Sequence, residues 1–273
     1  MKTLKDKVAL VTGAASGIGR ATVNALAVRG ARLIVCDVNR AGLDAVAAEL
    51  GPSLLLSRRV DVSDRAAMRA FADEVHKLVP AVDVLVNNAG VGLSGGISDT
   101  TLEDWDWVLG INLNGVIHGC HLFIPPMRRR GAGGHVVNLS SLLGITAGPG
   151  VLGYATSKFA VFGLSESLRA ELAPEGIGVS TICPGMIATD IIKGTRFRGV
   201  DNVDKMRQKT DETFHKRSFP PEKVAQSIVS SILHDRAVVP VAPEAWATYY
   251  MKRFAPSLLP RLGRVLARRS QRG

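Results

Sequence analysis

Short apolar runs alternate along the chain with longer segments whose apolar residues recur at helical spacing. The apolar runs predict strands at residues 7–12, 32–36, 54–60, 82–87, 134–140, 177–183 and 237–241. The segments between them predict helices near residues 17–29, 40–50, 63–78, 101–129, 154–173 and 221–234. Strict alternation of strands with crossover helices indicates an α/β, doubly wound fold, with about seven parallel strands and helices on both faces. Because no segment resembles a linker, we expect a single domain over residues 1–273.

Composition narrows the class of protein further. Apolar residues make up 46% of the chain, which is enough for a sizeable core. The N-terminal segment enters the first predicted strand directly, so we expect no signal peptide. No apolar stretch approaches the ~20 residues that span a bilayer. The cysteines and histidines show no metal-ligand spacing, which predicts free buried thiols and no metal site. They are Cys36, Cys120 and Cys183, and His76, His118, His121, His135, His215 and His234.

A tyrosine and a lysine four residues apart, Tyr154 and Lys158, carry the first candidate chemistry. On a helix such a pair lies on one face, about 6 Å apart along the axis. A neighbouring ammonium favours the phenolate, so it lowers the pKa of the tyrosine from its ordinary value of about 10. The pair therefore predicts a phenol that acts as an acid or a base near neutral pH.

A glycine-rich loop follows the first predicted strand, with glycines at positions 13, 17 and 19. Glycines let the backbone approach a diphosphate, and the N-terminus of the next helix supplies unpaired N–H groups. The Gly-x-x-x-Gly-x-Gly spacing departs from the Gly-x-Gly-x-x-Gly pattern of many dinucleotide sites. The second predicted strand ends in Asp37, a carboxylate placed to accept the hydroxyls of an adenosine ribose. The combination predicts dinucleotide binding.

The order and spacing of these and other motifs resemble the short-chain dehydrogenase/reductase family over roughly residues 5–242. The motifs are the loop 12–19, Asp61-Val62, the run 87–90, the residues Asn112, Ser141, Tyr154 and Lys158, and Pro184-Gly185 with Thr189. The resemblance implies a Rossmann-like fold with a cofactor-binding half at about 1–135 and a catalytic and substrate half at about 136–242. A basic amphipathic C-terminal extension follows at about 243–273.

The resemblance implies that four residues, Asn112, Ser141, Tyr154 and Lys158, form the catalytic set. Tyr154 would act as the base in alcohol oxidation and as the acid in carbonyl reduction, while Lys158 would also bind the nicotinamide ribose. Ser141 would hydrogen-bond the substrate oxygen, where charge develops. Asn112 would support a water that links Lys158 to solvent. Either Ser140 or Ser141 could point into the cleft, and the spacing in the family favours Ser141.

The resemblance implies that the cofactor-binding residues lie in the same motifs, with Asp61-Val62 near the adenine and Pro184-Gly185 with Thr189 holding the nicotinamide carboxamide. They are Gly13, Ser16, Gly17, Ile18, Gly19, Asp37, Asp61, Val62, Asn88, Ala89, Gly90, Tyr154, Lys158, Pro184, Gly185 and Thr189. Asp37 favours NAD because its carboxylate would repel the 2′-phosphate of NADP. Ser16 agrees, since NADP-preferring relatives often carry a basic residue there. Arg40 could accept a phosphate, so NADP stays the less favoured alternative.

The segments that wall the substrate cleft in this family are apolar in this chain. The residues implied to contact substrate are Leu93, Leu142, Leu143, Met186 and Ile187. With no carboxylate-binding arginine beside them, a lipophilic alcohol or ketone (sterol-, retinol- or fatty-chain-like) is favoured over a sugar or an acid. In this family a lid follows Pro184-Gly185, which corresponds here to Met186 through about Phe219. Its basic residues, Arg196 and Arg198 among them, are interpreted mainly as a solvated face.

The C-terminal segment from Pro240 to Gly273 has seven basic residues and one acid, Glu244, which gives +6 of the chain's +10. Apolar and aromatic residues recur there at helical spacing, which predicts two amphipathic helices broken near Pro256. The segment could pack over the cleft or a neighbouring subunit. It could instead contact an anionic membrane surface. The sequence leaves both interpretations open.

The sequence as a whole predicts an NAD(P)-dependent short-chain alcohol dehydrogenase or carbonyl reductase. We expect it in the cytoplasm, or peripheral at a membrane surface. The alternative is a non-catalytic dinucleotide-sensing or nucleic-acid-binding protein that reuses the fold. The basic tail lacks a recognised nucleic-acid motif, so no nucleic-acid partner is predicted. The helix at 154–173 carries apolar residues on more than one face, which predicts a homodimer or homotetramer.

Overall fold

The computed structural model of the protein describes residues 1–216 and 219–257. Its strands are β1 (Val8–Thr12), β2 (Arg32–Asp37), β3 (Leu54–Arg59), β4 (Val84–Asn87), β5 (Leu93–Ser94), β6 (Gly134–Leu139), β7 (Ile177–Pro184), β8 (Arg196–Phe197) and β9 (Val238–Val241). Its helices are α1 (Gly17–Ala27), α2 (Arg40–Leu50), α3 (Arg65–Leu78), α4 (Leu102–Leu109), α5 (Gly115–Arg130), α6 (Leu152–Leu172), α7 (Val203–Lys216), α8 (Pro221–His234) and α9 (Pro243–Phe254).

The main sheet has seven parallel strands in the order β3-β2-β1-β4-β6-β7-β9. The strand order reverses between β1 and β4, and ligands bind at the carboxyl ends of the strands at such a switch point. The predicted doubly wound α/β fold is confirmed.

Both faces of this sheet are covered, which explains why the apolar runs do not alternate with polar residues. All five residues of β1 are buried. Ala9 and Val11 pack in the cluster that includes α1 and α8 residues, whereas Val8 and Leu10 pack in the cluster with α3 and α5. A parallel strand enclosed in this way needs apolar side chains on both of its faces.

The long helix predicted at 101–129 differs from the expectation in its middle. It begins at Leu102 and ends at Arg130, but a π-helical turn at Gly110–Asn114 separates α4 from α5. A π turn adds one residue to the helical ladder and often marks a functional site. Here it presents the buried Asn112 to the loop after β4.

The same helical run corrects the expectation about apolar stretches. Within Leu102–Arg130 an 18-residue stretch reaches a mean hydropathy of 1.3, so by length and composition alone the run could cross a bilayer. In the fold it packs against the sheet through buried residues, among them Val116, Phe123 and Met127. A core helix of a globular domain passes the same test of length and composition, so the run gives weak support for a membrane segment.

Several elements lie where the sequence pattern is weak. The short strands β5 and β8 pair with each other outside the main sheet, and α7 follows them within the predicted lid. The first predicted C-terminal helix is present as α9 and ends two residues before Pro256. The second predicted C-terminal helix falls on residues 258–273, which lie outside the described residues.

Candidate active site

The glycine-rich loop after β1 is tied to the end of β4 by one side chain, Asn88. Its amide Nδ2 donates to the carbonyl oxygens of Thr12 and Gly13, at 2.9 Å in both cases. In return, the Thr12 hydroxyl accepts from the backbone N–H groups of Asn88 and Ala89, at 3.0 and 3.1 Å. These bonds satisfy the polar groups at the strand ends and fix the loop conformation.

Close backbone approach explains the glycines of this loop. At Gly13, with φ +64°, an added Cβ would lie 2.7 Å from the Cα of Ala89. At Gly19, an added Cβ would collide with the carbonyl of Gly13, and at Gly17, with φ +51°, it would touch Thr189. Ser16 precedes α1 and its side chain does not cap the helix. The first N–H groups of α1 therefore have no side-chain acceptor there, which suits an incoming diphosphate.

The ribose-binding position predicted for Asp37 is at the end of β2. Its carboxylate accepts from the backbone N–H groups of Ala15 and Asn39, at 2.9 Å each, which aims it at the glycine loop. Arg40 opens α2 and pairs with Asp44 at 3.0 Å, with both side chains largely exposed. Sequence reasoning missed Arg59, which lies beside Asp37 in the sheet and donates to the carbonyl of Val38.

The predicted adenine-side pair, Asp61 and Val62, sits after β3. Asp61 accepts from the backbone N–H and the hydroxyl of Ser63, at 2.9 and 2.7 Å. Val62 is buried against Gly115, where an added Cβ would come within 2.7 Å of a Val62 methyl. A cavity of about 280 Å³ opens nearer the diphosphate position and is lined by Gly17 and Thr189 among others. This cavity lies beside the glycine loop that is predicted to hold the diphosphate.

Three predicted catalytic side chains meet on α6 and at the end of β6. Ser141 faces Tyr154, and its hydroxyl interacts with the phenol closely enough to lower the pKa of that tyrosine. The Lys158 Nζ lies 5.7 Å from the centre of the Tyr154 ring, as expected for positions four apart on a helix. Ser141 also accepts from the backbone N–H of Leu143 at 3.1 Å, which fixes its orientation.

The ammonium of Lys158 is held in the interior. The side chain is 4% exposed, and its Nζ donates to the carbonyl of Leu139 at 3.0 Å. Burial lowers the pKa of Lys158 from 10.5 to about 8, an effect that the neighbouring Cys183 partly offsets. Gly90 completes this wall, because an added Cβ there would lie 3.3 Å from the Lys158 Nζ.

The expected effect of Lys158 on the pKa of Tyr154 is wrong for the protein alone. Burial raises the pKa of Tyr154 above its ordinary value, and the hydrogen bond from Ser141 opposes that rise. Lys158 is not among the groups that shift this pKa, and its ammonium donates instead to the Leu139 carbonyl. Sequence spacing gives the proximity of the two side chains but not the desolvation of the phenol.

Asn112 links the π-helical turn to the rest of the site. Its Oδ1 accepts from the N–H of Val91 at 2.8 Å, and its Nδ2 donates to the Val91 carbonyl at 2.9 Å and to the Ser157 hydroxyl at 3.1 Å. Gly90 lies against the same amide, because an added Cβ there would be 3.2 Å from Oδ1. Asn112 therefore fixes the loop after β4 beside Lys158.

The structure distinguishes the two neighbouring serines. The Ser140 hydroxyl donates to the backbone carbonyl of Lys158 at 2.8 Å and also contacts the buried Cys183 thiol. Ser141, in contrast, interacts with the phenol of Tyr154 and lowers its pKa. Ser140 therefore joins β6 to α6, while Ser141 faces the tyrosine.

The segment after β7 contains the predicted nicotinamide-contacting residues. Gly185 donates its backbone N–H to Val241 of β9 at 2.9 Å. Thr189 is half-buried and lies against Gly17 of the first loop. Pro184 is buried as the last residue of β7. These contacts bring the loops after β1 and β7 together across the switch point.

The predicted substrate wall is only partly open. Leu142, Leu143 and Met186 are half-buried near Ser141 and the end of β7. Leu93 and Ile187 differ from the expectation, because they are 2% and 3% exposed and pack in the interior. Leu93 lies against Gly153 of α6, and Ile187 belongs to the core cluster on the α1 and α8 face.

Two lid arginines also differ from the solvated face predicted for them. Arg196 of β8 and Arg198, which directly follows β8, both bind Asp104 of α4, whose side chain is 1% exposed. Arg198 contacts both carboxylate oxygens, at 2.7 and 2.8 Å, and Arg196 contacts one at 3.1 Å. These partners hold the pKa of Asp104 at about 2. The guanidinium of Arg196 also stacks over Trp107, with 3.9 Å to the ring centre. The cluster fastens the lid strand to α4.

The cysteines behave as the sequence predicts, since all three are buried and free. Burial raises the pKa of each thiol, to about 12 for Cys120 and Cys183. Over residues 1–216 and 219–257, no group of three His, Cys, Asp or Glu side chains could hold a metal ion. His118, considered as a ligand with His121, contacts the carbonyl of Val62 through Nδ1 at 2.9 Å. The absence of a metal site stays a prediction.

Several known proteins are similar to this chain in sequence and in fold. The sequence profile of the short chain dehydrogenases matches residues 7–197. "Probable oxidoreductase EphD" of Mycobacterium tuberculosis is 41% identical over 266 residues, which are 95% of this chain and 45% of that protein. The chain therefore spans about half the length of this relative. "C alpha-dehydrogenase" of Sphingobium sp. is 34% identical over 259 residues, 89% of this chain and 83% of that protein.

A solved structure agrees with the sequence relatives. It is a short chain dehydrogenase/reductase from Burkholderia phymatum in complex with NAD, with TM-score 0.86 and 29% identity. The match covers 94% of this chain and 96% of that one. The chain belongs to the short chain dehydrogenase family, and the predicted family and Rossmann-like fold are confirmed.

Proposed function

We propose that the protein is an oxidoreductase that transfers hydride between NAD(H) and a secondary alcohol or ketone. The observation that carries the proposal is the cluster of Tyr154, Ser141 and Lys158 at the strand ends where the glycine loop also lies. Membership of the dehydrogenase family supports it. The similar structure from Burkholderia phymatum, which was solved in complex with NAD, also supports it.

The roles follow from the contacts of each side chain. When bound, the nicotinamide supplies the hydride chemistry. Tyr154 would exchange a proton with the substrate oxygen, and Ser141 would hold that oxygen within reach of the phenol. Lys158, with a pKa of about 8, is largely an ammonium at neutral pH. It would bind the cofactor ribose and, as an ammonium near Tyr154, would favour the phenolate. Asn112 keeps the neighbouring loop in place.

The cofactor we propose is NAD, with NADP as the alternative. Asp37 is half-buried, fixed by two backbone N–H groups and placed beside the glycine loop, where it would accept ribose hydroxyls. Arg40 already has a carboxylate partner in Asp44. Arg59 is a further cation close to this position, and its guanidinium donates to the Val38 carbonyl. A 2′-phosphate would have to compete with these contacts and approach the Asp37 carboxylate.

The substrate we propose is a lipophilic alcohol or ketone. Leu142, Leu143 and Met186 supply half-buried apolar surface near Ser141. The positive charge of Arg196 and Arg198 is directed to Asp104. A carboxylate substrate would therefore lack a dedicated arginine in this part of the described structure.

The oligomeric state and the cellular location of the protein are proposed from its family and from the apolar surface of α6. The half-buried Phe159 and Phe162 of α6, with the exposed Leu152, leave apolar surface that a second copy would cover. We propose a homodimer or homotetramer in the cytoplasm. Contact of the C-terminal segment with a membrane surface stays a prediction. In the described part of that segment, α9 packs beside the turn at Leu142–Gly144.

The test measures NADH formation by absorbance across secondary alcohols, sterols, retinoids and sugars, each with NAD and with NADP. We expect turnover with NAD on apolar alcohols. Turnover with NADP alone would refute the role given to Asp37, and turnover confined to sugars would refute the substrate class. Binding of NADH without turnover on any substrate would favour the dinucleotide-sensing alternative.

A further inference from the structure

The connection between β9 and α9 contains an unusual backbone conformation. Ala242 has φ +89° and ψ 151°, in a region that is essentially restricted to glycine. The residue is buried, and its carbonyl accepts from the N–H groups of Ala245 and Trp246, so the turn is well fixed. A strained turn of this kind persists where the surrounding contacts fix it, and this turn sets the direction of α9.

The second residue of α9, Glu244, contacts the segment that follows β7. Its Oε1 accepts from the backbone N–H of Met186 at 3.0 Å. The carboxylate also fills the space over Gly185, where an added Cβ would lie 2.8 Å from the Glu244 Cδ. Gly185 and Met186 directly follow β7, in the segment proposed to hold the nicotinamide. Glu244 itself lies outside the part of the chain that the family profile matches.

The hydrogen bond to Glu244 differs from the other backbone hydrogen bonds of this segment because its acceptor is a side chain. Gly185 and Ala188 donate their N–H groups to main-chain carbonyls, those of Val241 and Phe219. Met186, between them, donates to a side chain. Of these three hydrogen bonds, the one from Met186 to Glu244 can therefore be removed by a substitution that leaves the backbone unchanged.

Two further contacts place α9 against the catalytic elements. The helix packs beside the turn at Leu142–Gly144, which follows Ser141. The Lys252 Nζ lies 4.5 Å from the ring centre of Phe159, the neighbour of Lys158. Helix α8 shows the contrast, since it also begins with proline and glutamate, but its Glu222 is exposed. A favourable charge at a helix N-terminus therefore does not by itself account for the position of Glu244.

We propose that Glu244 is a positioning residue, which fixes the peptide between Gly185 and Met186 and so sets the geometry of the nicotinamide-side segment. Through this one bond, a C-terminal helix outside the matched family region controls how firmly the dinucleotide is held. The positioning role stands on the contacts alone. Its effect on dinucleotide affinity rests on the proposed function.

The experiment compares Glu244→Ala and Glu244→Gln with the wild type. Glutamine keeps an Oε1 acceptor for Met186, whereas alanine leaves that N–H unpaired. The matched control is Glu103→Ala, since Glu103 is also the second residue of its helix and is exposed. Hydrogen exchange of peptides that cover Gly185–Ile187 reads the bond directly. Fluorescence titration with NADH reads its consequence, and melting temperatures report on folding.

We expect exchange at Met186 to rise about ten-fold in Glu244→Ala and to stay near the wild-type rate in Glu244→Gln and Glu103→Ala. NADH should bind about ten-fold more weakly to the alanine variant alone, which corresponds to about 1.4 kcal/mol. Unchanged exchange in Glu244→Ala would overturn the positioning role, as would equal losses in the alanine and glutamine variants. A wild-type protein that fails to bind NADH would overturn the proposed function, while the exchange result would still decide the role of Glu244.

Discussion

Removing the charge of Asp104 should loosen the lid strand and destabilise the whole domain. Asp104 is 1% exposed and binds the guanidinium groups of Arg196 and Arg198. In Asp104→Asn the side chain keeps its size and can still accept from the Thr101 N–H, as the carboxylate does. The substitution removes the charge and replaces one acceptor oxygen by an amide donor, so both arginines lose an ionic partner.

The magnitude follows from the pKa of Asp104, which these arginines lower from 3.8 to about 2. A difference of nearly two pKa units corresponds to about 2.5 kcal/mol at neutral pH, at about 1.36 kcal/mol per unit. Arg196 and Arg198 are about 40% exposed, so solvent screens part of this interaction. We therefore expect a loss of about 2 kcal/mol in the free energy of unfolding. For a domain of this size that loss lowers Tm by about 5 °C.

The pH dependence gives the charge effect a recognisable sign. Because the folded-state pKa is depressed, the stabilisation is fully present above the unfolded value near 3.8. It disappears as the pH falls towards the folded value of about 2. The stability difference between the wild type and Asp104→Asn should therefore stay constant from pH 7 to about pH 5. Below pH 4 it should shrink.

Urea unfolding at several pH values measures this difference. Asp106→Asn is the matched control, because Asp106 lies two residues further along the same helix and is exposed. We expect the control to stay within about 0.5 kcal/mol of the wild type, as surface substitutions usually do. If Asp104→Asn unfolded with the same midpoint as this control at pH 7, the lid would not be fastened by that carboxylate.

Three further substitutions have expected outcomes. Lys158→Met should abolish activity yet stabilise the fold by about 2 kcal/mol at pH 7. Burial lowers the Lys158 pKa to about 8, which means that the buried ammonium destabilises the folded state at neutral pH. Methionine removes this cost and loses only the hydrogen bond to the Leu139 carbonyl. That gain should shrink as the pH rises from 8 towards 10.5, and an unchanged Tm would contradict it. Ala242→Gly should raise stability by about 1 kcal/mol in urea unfolding, since relief of a strained φ outweighs the entropy of glycine; a loss would show that the turn is unstrained. Asp37→Ala should reduce the preference of turnover for NAD over NADP at least ten-fold, and an unchanged ratio would assign the choice to other groups such as Arg40.

Patterns of neighbouring residues in the sequence were sufficient to predict the fold and part of the candidate active site. The apolar runs marked every strand of the main sheet because strands enclosed on both faces need continuous apolar sequence. The spacing of Tyr154 and Lys158 predicted their proximity, since helix geometry fixes positions four apart. The same spacing gave the wrong direction for the Tyr154 pKa. Desolvation depends on everything packed around the phenol, which a four-residue pattern does not contain.

Contacts between distant segments account for the features that the sequence did not reveal. Asp104 is 92 and 94 residues from its two arginine partners along the chain, so no local pattern joins them. The bond from Glu244 to Met186 spans 58 residues and depends on the turn at Ala242. The basic residues of the lid therefore resembled a solvated face, although two of them close on a buried carboxylate.

Comparison of the wild type with Tyr154→Phe for NADH formation tests the central claim most directly. The best substrate from the alcohol panel would be used, with Tyr250→Phe, on an exposed tyrosine of α9, as the matched control. The account predicts at least a 100-fold loss of turnover in Tyr154→Phe, unchanged NADH binding, and normal turnover in the control. Turnover by Tyr154→Phe close to that of the wild type would contradict the account, because the proton would then reach the substrate oxygen from another group.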